Sequence, residues 1–406
     1  MTEAGSLKNI PGGVTAAQGF LASGVPAGLK KNGALDVALI FSELPAAAAG
    51  VYTTNRVKAA PLELTRSRVE QGKARAVIVN AGNANACTGP GGMSDAQAMA
   101  RSAAEALAIA EEQVLVASTG VIGVPLPVAK IAAAAPRAVA ELSRENHSAA
   151  AQAIMTTDLM AKEYAVELPI KNKRVTIGGM AKGSGMIHPN MATMLCFITT
   201  DANISDAVLQ QALKRAVDRS FNMITVDGDT STNDMVVVLA NGKAGNAEIV
   251  QDTEDYRRFY GALKEVCTAL AKMIARDGEG ATRLVEVQVT GGPSREDAGR
   301  AAKAVAGSNL FKAAVFGKDA NWGRILCALG YSGAAFDPAA TDIFIGEVQV
   351  AKDGGALAFD EERAVEMLSR DPVQICVDLK SGAHSATAWG CDLTYDYVRI
   401  NGSYRT

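Results

Sequence analysis

The segments Val285-Glu286-Val287-Gln288-Val289 and Val373-Gln374-Ile375-Cys376-Val377-Asp378-Leu379 alternate strictly between an apolar residue and a residue of another kind. Successive side chains of a strand point to opposite faces. Each segment therefore reads as a strand with one buried face and one face in a different environment. A parallel sheet covered on both sides would read instead as continuous apolar runs. The pattern predicts an α/β (α+β) fold of mainly antiparallel or mixed sheets, stacked and flanked by helices, and not a doubly wound parallel sheet. Earlier strands are expected over Leu35–Phe41, Ala76–Asn80 and Val114–Ala117. Ser94 and Gln97 have the spacing of a capping box ahead of an Ala-rich run, which predicts a helix starting at Ser94. Further helices are expected over Ser205–Arg219, Glu254–Ala275 and Arg295–Ala304.

The 406 residues exceed what one core usually holds, so two lobes are expected. With 48% hydrophobic and 20% charged residues the chain has the profile of a globular protein, not a disordered one. The net charge is -3 and no basic stripe stands out, so nucleic acid is not an expected partner. No apolar run is long enough to span a bilayer, and Met1–Gly13 lacks the charged and apolar regions of a secretory signal. A cytoplasmic location is expected, and the Asn-x-Ser matches at Asn146, Asn203 and Asn401 read as chance. The six cysteines form no Cys-x-x-Cys pair, which argues against a disulfide framework or a zinc site. No metal or organic cofactor is expected. Only His147, His188 and His384 are present, so the chemistry must rely little on imidazole.

The densest punctuation, Gly178 to Pro189, leads into Ala181-Lys-Gly-Ser-Gly-Met-Ile-His-Pro-Asn-Met-Ala-Thr193-Met-Leu-Cys-Phe-Ile-Thr-Thr200. A strand of small and apolar residues begins just after Ala192, so Thr193 stands at a loop-to-strand junction. A threonine hydroxyl is a poor nucleophile without a base, but an N-terminal threonine carries its own, the α-amine. That amine titrates at about 7.7–8.0, near working pH. Freeing it requires a cut before Thr193, which the same hydroxyl can make. It attacks the Ala192 carbonyl, shifts the acyl group from nitrogen to oxygen, and leaves an ester for water. Ala192 is small, and the glycines permit the strained loop such an attack needs. On spacing alone, a threonine at a strand start reads first as a β-favouring residue with no chemistry.

The run Lys182-Gly-Ser-Gly-Met-Ile-His-Pro-Asn-Met-Ala-Thr-Met-Leu195 closely resembles the autoprocessing motif of the ornithine acetyltransferase family, the bacterial ArgJ proteins or glutamate N-acetyltransferases. The resemblance extends to Gly12-Gly-Val-Thr-Ala, Ala49-Gly-Val-Tyr-Thr-Thr-Asn-Arg56 and Asn80-Ala-Gly-Asn-Ala-Asn-Ala-Cys-Thr-Gly89. It continues in Ser118-Thr-Gly-Val-Ile-Gly123, Met155-Thr-Thr-Asp158 and Thr225-Val-Asp-Gly-Asp-Thr-Ser-Thr-Asn-Asp234. Asp277-Gly-Glu-Gly-Ala-Thr282, Gly317-Lys-Asp-Ala-Asn-Trp-Gly-Arg324 and Asn401 to Thr406 follow in the family's order. The processing motif shows no departure.

The resemblance implies an N-terminal-nucleophile fold of αββα type and cleavage between Ala192 and Thr193. The products would be an α chain, 1–192, and a β chain, 193–406, held together in an α2β2 heterotetramer. It implies that Thr193 is the nucleophile and that Thr119 and Gly120 form the oxyanion hole. Preorganised donors at such a site contribute about 3 kcal/mol each. Thr156, Lys182, Thr193, Glu279, Asn401 and Thr406 match substrate-contacting positions, with Lys182 suited to a carboxylate and Glu279 to the ornithine ammonium or the Thr193 amine. The implied reaction takes acetyl from N2-acetyl-L-ornithine to L-glutamate through an acetyl-threonine, with acetyl-CoA a possible second donor.

Two rival readings stand beside it: an N-terminal-nucleophile aminopeptidase or amidase with water as acceptor, and a non-catalytic small-molecule-binding protein that retains the fold. Lys182-Gly-Ser-Gly lacks the Gly-Lys-Ser order of a P-loop, and Gly183-Ser-Gly185 lacks nucleophile-elbow spacing. Asp227–Asp234 has Thr232 and Val238 where a calcium loop needs Gly and Glu, so it reads as a polar turn near the active site or an interface. His188 reads as a hydrogen-bonded loop histidine.

Overall fold

The computed structural model describes residues 7–188 and 194–402. These residues form two compact units. The first comprises 7–183, 194–222 and 230–270, and the second 184–188, 223–229 and 271–402. The units therefore do not follow the expected chain division at 192/193, and each takes segments from both sides of it.

The first unit holds a nine-stranded mixed sheet. Its strands are β1 (Lys8–Ile10), β2 (Phe20–Val25), β3 (Val37–Tyr52), β4 (Lys73–Asn83), β5 (Val114–Val121), β6 (Lys162–Ile170), β7 (Lys173–Lys182), β8 (Leu195–Thr200) and β9 (Met235–Ala240). They lie in the order β1-β6-β7-β8-β9-β3-β4-β5, with β2 also on β3. The pairs β8–β9 and β4–β5 are parallel, and the rest are antiparallel. Strand β3 runs much further than the expected Leu35–Phe41. In its second half Ala47 to Tyr52, small residues as far as Gly50, pair with β9. Pro45 lacks an N–H and falls where the β3–β4 register shifts between Phe41 and Ala46.

Helices α1 (Ala60–Val69) and α2 (Gly91–Leu107) pack on β5, α3 (Val128–Ala140) on α2, α4 (His147–Ala153) on β2, and α5 (Asp206–Val217) on β3. Helix α6 (Glu254–Arg276) has residues in each unit. Helix α2 starts at Gly91, three residues before the expected Ser94. The Gly92 amide donates to the Gly89 carbonyl at 3.2 Å and the Asn85 side chain holds the Gly92 carbonyl at 2.8 Å, so the turn before Ser94 runs on into the helix.

The second unit holds a six-stranded sheet of β10 (Leu284–Gly292), β11 (Asp342–Ile345), β12 (Val348–Lys352), β13 (Gly355–Ala356), β14 (Val373–Asp378) and β15 (His384–Cys391). The two alternating segments are neighbours: β10 and β14 run parallel, with Val285 opposite Val373, Val287 opposite Ile375 and Val289 opposite Val377. The other pairings are antiparallel. All six of those residues are buried, in a core with Ala298, Ala302 and Val305 of α7 (Arg295–Gly307). Helices α8 (Asn309–Gly317) and α9 (Trp322–Gly330) pack beside α7, α10 (Glu361–Leu368) packs on β14, and α11 (Tyr395–Asn401) closes the described chain. On the other sheet face Glu286 accepts from Lys272 Nζ at 2.9 Å and Trp389 Nε1 at 2.7 Å. Alternation thus marks one dry face and one ion-paired face, here on parallel neighbours. The fold is a mixed α/β arrangement of sheets flanked by helices, as expected.

Candidate functional site

Thr119 and Gly120 lie at the end of β5, where β4 and β5 run in register to Gly82 and Gly120 and then lose it. Gly120 has φ +132°, and a Cβ there would stand 2.3 Å from the Gly82 carbonyl carbon and 2.6 Å from the Asn83 nitrogen. Only glycine fits so close a backbone approach. A buried amide network fixes this strand end. Ser118 Oγ donates to Asn80 Oδ1 at 2.6 Å, and Asn80 Nδ2 donates to the Asn83 carbonyl at 2.8 Å. Asn233 Nδ2 donates to the Ala84 and Ser118 carbonyls at 2.7 and 2.8 Å. Buried polar groups satisfied this fully hold a single geometry.

Lys182, the last residue of β7, is only 3% exposed. Its ammonium donates to Thr156 Oγ1 at 2.8 Å and, at the long limit of 3.5 Å, to Thr119 Oγ1. Asp158 lies behind it. One carboxylate oxygen of Asp158 accepts from Lys162 Nζ at 2.7 Å and the Gly183 amide at 2.6 Å. The other accepts from the Thr156 amide at 2.9 Å and stands 3.9 Å from the Lys182 ammonium. Burial alone would push this carboxyl up, but Lys182, Lys162 and the hydrogen bonds hold it well below the usual carboxylate range. Lys30, whose ammonium donates to the Leu35 and Ala153 carbonyls, is lowered by burial to about 8 against the pull of Asp36 and Asp158.

Strand β8 starts opposite this cluster, with Leu195 paired to Lys182 on one side and to Met235 on the other. The Met194 amide donates to Asp234 Oδ1 at 2.7 Å, and the Asp234 carbonyl accepts from the Thr53 amide at 3.1 Å. The Met194 carbonyl accepts from the Met235 amide at 3.2 Å, so residues 234 and 235 hold residue 194 at both its amide and its carbonyl. Ala192 and Thr193, the expected cleavage pair, lie outside the described residues, as does Thr406.

In the second unit Glu279 is 7% exposed, in a turn after α6. Its Oε2 accepts from Asn401 Nδ2 at 2.8 Å, and its amide donates to the Ser184 carbonyl at 3.0 Å. A Cβ on Gly185 would stand 2.3 Å from Oε2, so glycine there admits the carboxylate. Helix α11 is tied to the same turn by Thr394 Oγ1, which donates to the Gly280 carbonyl at 2.7 Å. Asp227 accepts from the Met186 and Ile187 amides at 2.6 and 2.8 Å and from the Tyr397 hydroxyl at 3.2 Å. Burial first, then Asp227, pushes that phenol up. His188 Nδ1 shares a 2.9 Å hydrogen bond with Thr225 Oγ1. Burial and Lys303 lower its pKa to about 4 against Asp227, so the ring is neutral at neutral pH, the loop histidine expected from the sequence.

The structure thus brings Thr119, Gly120, Thr156 and Lys182 together in one unit, and Glu279 with Asn401 in the other. Sequence reasoning gave no role to Asp158, Lys162, Asn233 or Asp234. Three of these stand within blocks already singled out, but Asn233 and Asp234 act on segments tens of residues away, and Asp158, beside its near partners Thr156 and Lys162, also holds Gly183 25 residues on. Among the described residues no group of three His, Cys, Asp or Glu side chains is arranged to hold a metal ion, and no helix is long and apolar enough to cross a membrane.

Comparison with known proteins adds the lineage. The chain is 61% identical over 399 residues to the arginine biosynthesis bifunctional protein ArgJ of Symbiobacterium thermophilum, covering 98% of this chain and 99% of that protein. It is 53% identical over 401 residues to the protein of that name in Caldanaerobacter subterraneus subsp. tengcongensis, with 98% and 99% coverage. Among solved structures it is similar to the arginine biosynthesis bifunctional protein ArgJ from Bacillus halodurans, at 53% identity and a TM-score of 0.50, covering 51% of this chain and 97% of that one. The model of the ArgJ family matches residues 21–406, and with relatives this similar over nearly its whole length the chain belongs to that family.

Proposed function

We propose that this acyltransferase of the ArgJ family cuts itself between Ala192 and Thr193 and then carries acetyl from N2-acetyl-L-ornithine to L-glutamate on the Thr193 hydroxyl. In the first stage the hydroxyl attacks the Ala192 carbonyl, the peptide C–N bond breaks, and water hydrolyses the resulting ester. The freed α-amine then takes the proton of the hydroxyl as it attacks the acetyl carbonyl of the donor. L-Ornithine leaves with that proton on its amine. The amine of L-glutamate attacks the acetyl ester, regenerating Thr193 and releasing N-acetyl-L-glutamate. Thr119 and Gly120 donate to the developing oxyanion in each addition. Lys182 and Thr156 take a substrate carboxylate, while Glu279 and Asn401 take an ammonium group.

The observation that carries this reading is the buried Lys182 ammonium. It donates to Thr156 and Thr119 at the strand end paired with Leu195, two residues after Thr193. The word bifunctional in the relatives' names supports acetyl-CoA as a second donor for glutamate. The reading needs no metal or organic cofactor, and it includes an α2β2 assembly in the cytoplasm.

The test is denaturing mass spectrometry of the purified protein after incubation with acetyl-labelled acetylornithine. Two fragments should sum to the 42.0 kDa chain plus one water, with the label on the fragment beginning at Thr193. An uncut chain that still transfers acetyl, or a cut chain that never carries label, overturns the covalent route. Release of free acetate at full rate without glutamate would point instead to a hydrolase.

A further inference from the structure

We propose that Asp158 is a positioning residue for substrate recognition: its buried carboxylate holds the Lys182 ammonium ready for the α-carboxylate of the amino-acid substrate. The proposal rests on the reading that Lys182 receives that carboxylate, and it goes on to say what prepares Lys182 to do so. The Asp158 side chain is 0% exposed and ties together three pieces of chain: the turn at Thr156, Lys162 at the start of β6, and Lys182 and Gly183 at the end of β7.

Its contacts are unequal in a telling way. The short ion pair, 2.7 Å, goes to Lys162, whereas Lys182 stands at 3.9 Å and turns its hydrogen bonds to the hydroxyls of Thr156 and Thr119. A buried ammonium needs a counter-charge before any ligand arrives, or its desolvation is uncompensated. A counter-ion in direct contact would compete with the ligand for the same donors. At 3.9 Å Asp158 neutralises without occupying, so the N–H groups of Lys182 can pass from neutral hydroxyls to a carboxylate, the stronger acceptor. The Asp158–Gly183 hydrogen bond, made where Gly183 has φ +155°, also fixes the backbone from which Lys182 projects.

The test compares calorimetric binding of L-ornithine and L-ornithinamide, which differ only in the carboxylate, to the purified full chain. Asp158→Asn should weaken L-ornithine binding by about tenfold or more while changing L-ornithinamide by less than about twofold. Asp158→Asn/Lys162→Met, which removes the buried pair together, should show the same selective loss and stands in if the single variant does not fold. Lys182→Met should abolish the discrimination, and adding Asp158→Asn to it should cost nothing more. Equal losses for the two ligands, unchanged binding, or a wild type that does not prefer L-ornithine overturns the proposal. Acetyl transfer by the wild type is scored separately, so failure of the proposed reaction and failure of this role are told apart.

Discussion

At the tip of β5 a backbone with room only for glycine stands beside a hydroxyl. Gly120 meets the β4 backbone at distances that exclude a Cβ, and Thr119 is buried with its hydroxyl turned to Lys182. Thr119→Val keeps the shape and removes the donor. If that hydroxyl stabilises the oxyanion, kcat falls by about 10²–10³-fold with KM moving little. Steady-state rates on a variant whose circular dichroism matches wild type check this, and an unchanged kcat removes Thr119 from the oxyanion hole. His188 carries a different prediction. Its folded pKa is lowered from 6.5 to about 4, chiefly by burial. Between those values the unfolded chain binds a proton that the folded chain does not, so stability falls as pH drops through that window. Solvent reaches part of the ring, which brings the full cost at pH 4 to about 2 kcal/mol. His188→Gln should flatten this acid limb in denaturant titrations run from pH 7 to 4. A limb of unchanged slope would show that the ring is not held neutral. Thr119, Gly120, Thr156 and Lys182 were singled out as candidates because they match site positions in blocks that resemble the family. Asp158 was not, since a single acid in Met155-Thr-Thr-Asp158 reads as a turn residue until Gly183, 25 residues on, is seen to donate to it.

At the scale of the element, legibility followed the strength of the local pattern. Strands β10 and β14 announced themselves because valine and isoleucine alternate with polar residues and one face is dry. Helix α5 lies within the expected Ser205–Arg219, and α6 runs one residue past the expected Ala275. The second half of β3 was invisible: Ala46 to Ala49 are poor strand formers and Pro45 cannot donate to a ladder. They form a strand because β9 supplies partners for Ala47 through Tyr52, and because Ala46, Ala48 and Ala49 are buried where larger side chains would not fit. Small residues chosen for close packing carry no β signature of their own. The parallel pairing of β10 with β14 was equally hidden, since alternation reports which face is dry and not which way the neighbour runs.

Across the whole molecule the expected cut and the compact units divide the chain differently, and that mismatch has a consequence. Strands β8 and β9 come after residue 193, yet they lie in the middle of the first sheet, β8 against β7 and β9 against β3. In the second unit Asp227 holds the amides of Met186 and Ile187, which come before residue 193, and Ser184 Oγ donates to the Asp277 carbonyl at 2.7 Å. Each unit would therefore be built from both fragments of the cleaved chain. Separating them would strip two central strands from a sheet and expose Phe197, Ile198, Val237 and Leu239, all at most 1% exposed. Fully burying one such side chain is worth about 1.5–3 kcal/mol, so the four together far exceed any gain in freedom from breaking one peptide bond. The cleaved protein should elute as one species in native gel filtration, separate into fragments of 192 and 214 residues only in denaturant, and lose both fragments' structure in a single transition. Two native peaks after cleavage would mean that the shared sheet does not hold the fragments together.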